Sequence, residues 1–250
     1  MPVFFIPPEN FLPDKVLITG PDVRHITKVL RLGIGDKIKV CDQPGNRYQA
    51  KIDVIEKGWV IAGLEPEMLT EYGREPPRQP MITIGQALPK GYKMDLIVQK
   101  ASELGASELA PLLTQRTLVR LNSKTISLKI ARWQKIAQES AKQSGSRKIL
   151  HIGNIAGLEE FCSLSAKADL KLILWEEEKL RRLRDVLPKD TSPETITLII
   201  GPEGGLTRQE IGQAQDYGFL PTGLGPRILR VETVALTLLT ILQYQYGDLG

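Results

Sequence analysis

Two glycine-bearing segments near the C-terminus carry the residue types that could do chemistry. IIGPEGG (199–205) leaves a dense apolar run and leads into Thr207-x-x-Glu210, a pair whose side chains can each satisfy the other's backbone N–H at a helix start. Its glycines let backbone approach a bound molecule closely. It is not a phosphate loop. Neither G-x-G-x-x-G nor G-x-x-x-x-G-K-[ST] is present, Pro202 has no N–H to offer, and Glu203 would set a carboxylate against a phosphate. A ligand with hydroxyls, a purine edge or a positive centre suits this loop better. The alternative is a tight strand-to-helix turn with an exposed glutamate.

The second segment is LGPRILRVET (224–233). Gly225-Pro226 forces a turn. Leu224, Ile228 and Leu229 could then enclose the faces of a planar ring while backbone groups read its edge. Arg227 and Arg230 present guanidinium groups beside Glu232. Arg230 could equally pair with Glu232 or Glu203 and hold the turn, which is compatible with a ligand site. The two histidines, His25 and His151, fall in neither loop. Two cysteines, Cys41 and Cys162, make no disulfide framework, and no His/Cys/Asp cluster offers a metal a home.

For these loops to meet, the elements before them must form a sheet with its carboxyl ends on one side. After residue 80 the rhythm is strand, helix, strand, helix. MITIGQAL (81–88), SELAPLL (107–113), LKLILWE (170–176) and TITLIIG (195–201) read as strands, the last two dense enough to be covered on both faces. Helices are predicted from about Lys90 to Leu104, about Lys124 to Lys142, from Thr207, and from about Glu232 to Tyr246. That alternation argues an α/β fold with a mainly parallel sheet. The first seventy residues differ. KIKVCD (37–42), RYQAKIDVI (47–55) and WVIAGL (59–64) suit a small antiparallel barrel, with one helix from Pro21 to Leu32 burying Val23, Ile26, Val29 and Leu30. EPEMLTEYGREPPRQP (65–80) is polar with four prolines and no period. The expected domains are 1–70, a linker at 71–80, and 81–250.

Of the 250 residues, 42% are hydrophobic and 25% charged, which excludes disordered and fibrous classes. No stretch approaches the roughly 20 apolar residues of a membrane helix, and MPVFFIPPENF has no basic start. A soluble, cytoplasmic protein with no membrane partner is expected. The net charge of +4 is unevenly spread: residues 79–150 hold 12 Lys and Arg against 4 Asp and Glu, whereas residues 151–250 hold 10 against 14. A basic block beside an acidic one suggests a polyanion-binding face, the alternative being a solvated helical surface.

IIGPEGG followed by Thr207-x-x-Glu210, then LGPRILRVET, resembles the paired cofactor motifs of the RsmE-type methyltransferases of the SPOUT superfamily. These methylate the imide nitrogen, N3, of one uridine in 16S ribosomal RNA of the small subunit. VRHITKVLRLGIGDKIKV (23–40) resembles the family's PUA-like RNA-binding barrel. KGYKMDLIVQKASELGASELAPL (90–112) and RWQKIAQESAKQSGSR (132–147) resemble its central motifs. The resemblance implies a C-terminal SPOUT-type parallel sheet with a trefoil knot, S-adenosylmethionine in the knotted loops, and a homodimer. Carried over by motif, the cofactor set is Leu174, Gly201, Pro202, Glu203, Gly204, Gly205, Leu224, Gly225, Ile228, Leu229 and Arg230. Val234 stands where the family usually has alanine.

The basic block thereby acquires a candidate partner, ribosomal RNA or the small subunit. The RNA-facing set is Arg24, His25, Lys28, Arg31, Lys90, Lys93, Lys100, Arg116, Arg132, Gln143 and Arg147, each of which could instead be a solvated surface group. Aromatics make up only 6%, favouring recognition of RNA shape over stacking. An imide nitrogen must lose its proton to accept a methyl group, so a base or a stabilising cation is required. Arg230 is expected to stabilise the anionic base, with Glu203 or Glu232 orienting it or accepting the proton. Competing readings are a non-catalytic RNA-binding assembly factor and a methyltransferase acting on another base or a ribose.

Overall fold

Strands of the N-terminal region bury every second side chain, and the computed structural model shows what they close upon. It describes residues 3–42, 46–68, 79–118, 123–146 and 148–249. The chain divides into two units, Met1–Glu75 with Ala141–Lys148, and Pro76–Ser140 with Ile149–Gly250. In the first, Val3–Phe5 (β1), Lys15–Thr19 (β2), Lys37–Cys41 (β3), Arg47–Glu56 (β4) and Trp59–Met68 (β5) form one sheet ordered β1-β3-β4-β5-β2. Val16 and Ile18, Ile38 and Val40, Ala50 and Ile52, Val60 and Ala62 share one core with Phe4 and Ile26. The sheet is not wholly antiparallel as the pattern predicts, because β1 lies parallel to β3. Three residues are too few for alternation to announce such a strand.

The predicted helix from Pro21 to Leu32 is shorter and wider. Pro21–Arg24 (α1) passes into a π-helical turn, His25–Val29, in which the Leu30 N–H donates to the His25 carbonyl. Val23 and Ile26 are buried as expected, but the wider turn carries Val29 out to 67% exposure. Arg31, with φ 55°, takes the left-handed position, and Leu32 N–H closes back on the Ile26 carbonyl. Lys142 donates to Asp22, which ties residues of the Ala141–Lys148 segment to this unit. Most of the proline-rich stretch 65–80, and the expected linker at 71–80 nearly entirely, lie outside the described residues.

The second unit is a parallel sheet. Met81–Ala87 (β6), Glu108–Leu113 (β7), His151–Ile152 (β8), Leu170–Leu174 (β10), Thr195–Ile200 (β11) and Leu220–Thr222 (β12) lie in the order β12-β10-β11-β6-β7-β8, with Ala156–Gly157 (β9) also on β7. Both faces are covered, which is why the central strands read as continuous apolar runs. Ile82, Ile84, Leu172, Leu198 and Ile200 face Lys93–Glu103 (α2), Ser123–Ser144 (α3) and Val231–Tyr246 (α7). Ile173 and Ile199 face Leu158–Leu164 (α4) and Arg208–Asp216 (α6). A short helix, Leu183–Val186 (α5), joins the first of these faces. Among the described residues no helix is long and apolar enough to cross a membrane.

Candidate active site and RNA-facing residues

All strands of the second unit run parallel, so their carboxyl ends share one edge. There β10 lies between β11 and β12, with Ile173 beside Ile199 and Leu174 beside Thr222. The chain leaves β10, returns on one side as β11, then crosses to the other side as β12. Such a reversal opens a crevice at the strand ends. The two glycine loops, 201–207 and 223–230, leave the sheet on either side of Leu174, two strand spacings or roughly 10 Å apart.

The segment after β10 crosses the start of the second loop backbone to backbone. Trp175 N–H donates to the Thr222 carbonyl (3.1 Å), Gly223 N–H to Arg181 (2.9 Å), and Leu183 N–H to Gly223 (3.1 Å). A Cβ on Gly223 would lie 2.4 Å from the Glu178 carbonyl oxygen, so the crossing requires glycine there. Beyond it the second loop turns at Gly225 (φ 109°) and ends at Arg230, the N-cap residue of α7. Leu224 and Leu229 are half-buried, while Ile228 is 87% exposed. The Arg230 side chain is exposed and has no partner among the described residues. It pairs with neither Glu232 nor Glu203. Glu232, in the first turn of α7, has a buried Oε2 without a hydrogen-bond partner.

The first loop is pinned from three directions. Glu203 Oε1 accepts from Lys93 Nζ (2.8 Å) and from the Lys90 N–H (3.0 Å). Arg116 Nη1 donates to the Gly204 carbonyl (2.7 Å). The Thr207–Glu210 capping box forms as its spacing predicts, Glu210 N–H donating to Thr207 Oγ1 and Thr207 N–H to Glu210 Oε2. Partial burial works to raise the Glu203 carboxyl pKa, but the Lys93 ammonium and the backbone N–H groups overcome it and hold it below the ordinary carboxylate value. A carboxylate so stabilised is a weak proton acceptor. Gly205, at φ 70°, closes the turn by donating to the Pro202 carbonyl.

The cofactor set expected from the motifs therefore gathers at this edge, on Leu174, residues 201–205 and residues 224–230. The expected RNA-facing residues fall in different circumstances. Arg24, Lys28 and Arg31 are exposed in the first unit, and His25 stands edge-on to Phe4. Lys90, Lys93 and Arg116 surround the first glycine loop. Lys100 pairs with Glu103 (2.6 Å). Arg132 gives two donors to Asp95 Oδ2, whose other oxygen accepts from Trp133 Nε1, so this arginine links α2 to α3. Gln143 is exposed, and Arg147 lies outside the described residues.

Sequence reasoning missed Gln115, whose N–H donates to the buried Glu210, and the Trp175–Arg181 crossing segment. The acidic run Glu176-Glu177-Glu178 after a buried strand was the available signal. A cleft of about 500 Å³ beside the first loop is lined by Lys90, Gln115, Arg116, Leu118, Glu203 and Gly204. Cys162 is buried, which pushes its thiol up to about 11 and leaves it inert.

Residues 76–243 match the family model of an RNA methyltransferase domain, and residues 18–64 that of an RNA methyltransferase PUA domain. The chain belongs to the RsmE-type RNA methyltransferase family. It is 32% identical to the ribosomal RNA small subunit methyltransferase E of Bacillus subtilis over 236 residues, 91% of this chain and 89% of that one. Its counterpart in Buchnera aphidicola from Acyrthosiphon pisum is 30% identical across 99% and 95% of the two chains. The crystal structure of a ribosomal RNA small subunit methyltransferase E from Neisseria gonorrhoeae, bound to S-adenosylmethionine, superposes with a TM-score of 0.86 over the full length of both chains at 32% identity. In this RsmE-type chain the α/β unit is the SPOUT-type methyltransferase sheet and the N-terminal unit its PUA-like partner.

Proposed function

We propose that this chain transfers the methyl group of S-adenosylmethionine to N3 of one uridine, the 1498 site, of 16S ribosomal RNA. One observation carries the reading: two glycine loops flank the end of β10 at a single sheet edge, with the guanidinium of Arg230, unpartnered among the described residues, at the end of one. The residues fit the cofactor. Leu174, Leu224 and Leu229 supply apolar walls, the glycines at 201, 204, 205 and 225 leave backbone groups approachable, and no phosphate cradle is needed. When bound, the cofactor supplies an electrophilic methyl group on a sulfonium.

The protein's own part is to make the uridine nitrogen nucleophilic. Its imide proton must leave, and the resulting anion needs a cation held ready. Arg230 answers this need, because its charge is exposed and unneutralised among the described residues and its backbone is the N-cap of α7. Glu232, two residues on and with an unsatisfied buried oxygen, is the residue this reading assigns to orient Arg230 once substrate is bound, or to take the proton. Glu203 is the poorer acceptor, being held ionised by Lys93, and serves to hold its loop. Exposed Arg24, Lys28 and Arg31 of the PUA-like unit supply sequence-independent attraction to the RNA. Pairing into a homodimer would cover apolar surface such as Ile228 and Tyr244, and the place of action is the cytoplasm.

The deciding experiment is transfer of labelled methyl groups to 16S ribosomal RNA lacking its native modifications, followed by mapping of the labelled nucleotide. Label at N3 of a single uridine supports the reading. Label on a ribose, on another base or on no RNA overturns it.

A further inference from the structure

We propose that the cleft beside the first glycine loop is a phosphate site for the target RNA, and that in the free protein the chain's own Glu203 carboxylate occupies it. The naming of RNA as the polyanion rests on the methyltransferase reading; the geometry of the site does not.

Three cationic side chains, Lys90, Lys93 and Arg116, belong to residues bonded to this loop, and one of them, Lys93, meets the Glu203 carboxylate directly. Glu203 takes both an ammonium, Lys93 Nζ at 2.8 Å, and a backbone N–H, that of Lys90 at 3.0 Å, just before α2 begins. Paired donors of this kind suit the oxygens of a phosphate equally well. The Lys90 ε-amino group has no partner among the described residues, and Arg116 commits only one of its five N–H donors, to the Gly204 carbonyl. Leu118, 69% exposed, offers an apolar surface beside them for a sugar or base.

The Glu203 contact is built to exchange. Its two side chains are 36% and 29% exposed, and ion pairs this open to water are weak. The carboxylate stands in a turn closed by one backbone bond, Gly205 N–H to the Pro202 carbonyl, so it can swing outward without disturbing β11 or the cap of α6. A phosphate entering the cleft takes Lys93 and the Lys90 N–H from Glu203. RNA binding on one side of the glycine loop is thereby linked to the setting of its other side, where the methyl donor is proposed to lie.

The test is filter binding of an unmodified transcript of 16S ribosomal RNA to the full chain without methyl donor, over a range of salt concentrations. Lys93→Gln should weaken binding and make the log–log salt slope shallower by about 0.7–0.9, the loss of one phosphate contact. Glu203→Gln should tighten binding about two- to fivefold. Glu177→Gln, which removes an exposed carboxylate paired with Arg208, should change it less than about twofold and so controls for general repulsion. An unchanged slope in Lys93→Gln means that Lys93 stays with Glu203, and overturns the displacement. So does a Glu203→Gln chain that binds no tighter than the control. Either result with intact methyl transfer to the RNA leaves the methyltransferase reading standing. The expected binding pattern without any transfer sinks that reading alone.

Discussion

The Glu210 carboxylate, 2% exposed, accepts the backbone N–H of Gln115 at 2.7 Å and thereby fastens α6 to the loop after β7. Its other oxygen accepts the Thr207 N–H at 2.8 Å and the Thr207 hydroxyl at 3.0 Å. One side chain thus closes a helix cap and joins the first glycine loop to its neighbour. Glu210→Ala leaves two N–H groups without acceptors and should lower stability by about 2–4 kcal/mol. Glu210→Gln, which keeps one acceptor, should recover part of this. Chemical denaturation at neutral pH measures both, and a loss below about 0.5 kcal/mol in the alanine variant rules out the joint role.

Arg230 is expected to act on rate rather than on folding. Its guanidinium is exposed and has no partner among the described residues, so Arg230→Ala should leave stability within about 0.5 kcal/mol of the parent. Loss of a cation facing a developing anion should lower single-turnover methyl transfer about 10²–10³-fold. The rising limb of the pH–rate profile should also move to higher pH, because the imide would lose its proton without help. Affinity for S-adenosylmethionine, measured by calorimetry, should change by less than about threefold. An equal loss of affinity and rate would make Arg230 a binding residue only.

How much of this was readable beforehand varies with the range of the interaction. The capping box at Thr207 and Glu210 is local, and its spacing alone predicts it. The strands β10 and β11 announce themselves because burial on both faces leaves almost no polar position. By contrast, Arg132 reads as one more cation of a basic block, and only folding brings Asp95, 37 residues away, within its reach. Gln115 and Glu210 are 95 residues apart and carry no pattern that joins them. The π-helical turn after α1 has the same apolar spacing as an α-helix up to Ile26, and it differs in the folded chain by the Leu30-to-His25 backbone bond and the exposure of Val29. The close crossing at Gly223 depends on which strand lies beside which, and no periodicity encodes that.

Acid sensitivity should originate partly at the opposite edge of the sheet. Asp169 Oδ2 accepts from the Thr195 hydroxyl (2.8 Å), the Thr195 N–H (2.9 Å) and the Glu194 N–H (3.0 Å), joining the starts of β10 and β11. The Thr195 hydroxyl bond and then its N–H hold the Asp169 carboxyl below the usual 3.8. Since the folded value is the depressed one, the stabilisation is complete above the unfolded pKa and disappears as pH falls through the folded pKa. Glu203, also held low, acts in the same direction. The melting temperature should therefore be level near neutrality and drop as pH falls below about 4. Asp169→Asn should melt lower at neutral pH and lose less on acidification, and an acid limb as steep as the parent's would exclude Asp169 as a contributor.

The crossing at Gly223 makes the sharpest demand on a single position. A methyl group there would stand 2.4 Å from the Glu178 carbonyl oxygen, which is backbone and has little freedom to move. Retreat is blocked on both sides, because Gly223 itself donates to Arg181 and accepts from Leu183. Gly223→Ala must therefore break at least one of these bonds or spread the two segments, at about 2–4 kcal/mol. Leu224 through Arg230 would shift with it, so affinity for S-adenosylmethionine should fall about tenfold or more. Gly212→Ala provides the contrast, since that glycine lies inside α6 with nothing within 4 Å of its would-be Cβ. There the added methyl should raise stability by about 0.5–1 kcal/mol and leave affinity unchanged. Calorimetric titration and thermal melts of the two variants separate a requirement for close backbone passage from a general intolerance of alanine. A Gly223→Ala chain with parental affinity would mean that the second loop does not depend on the crossing for its position.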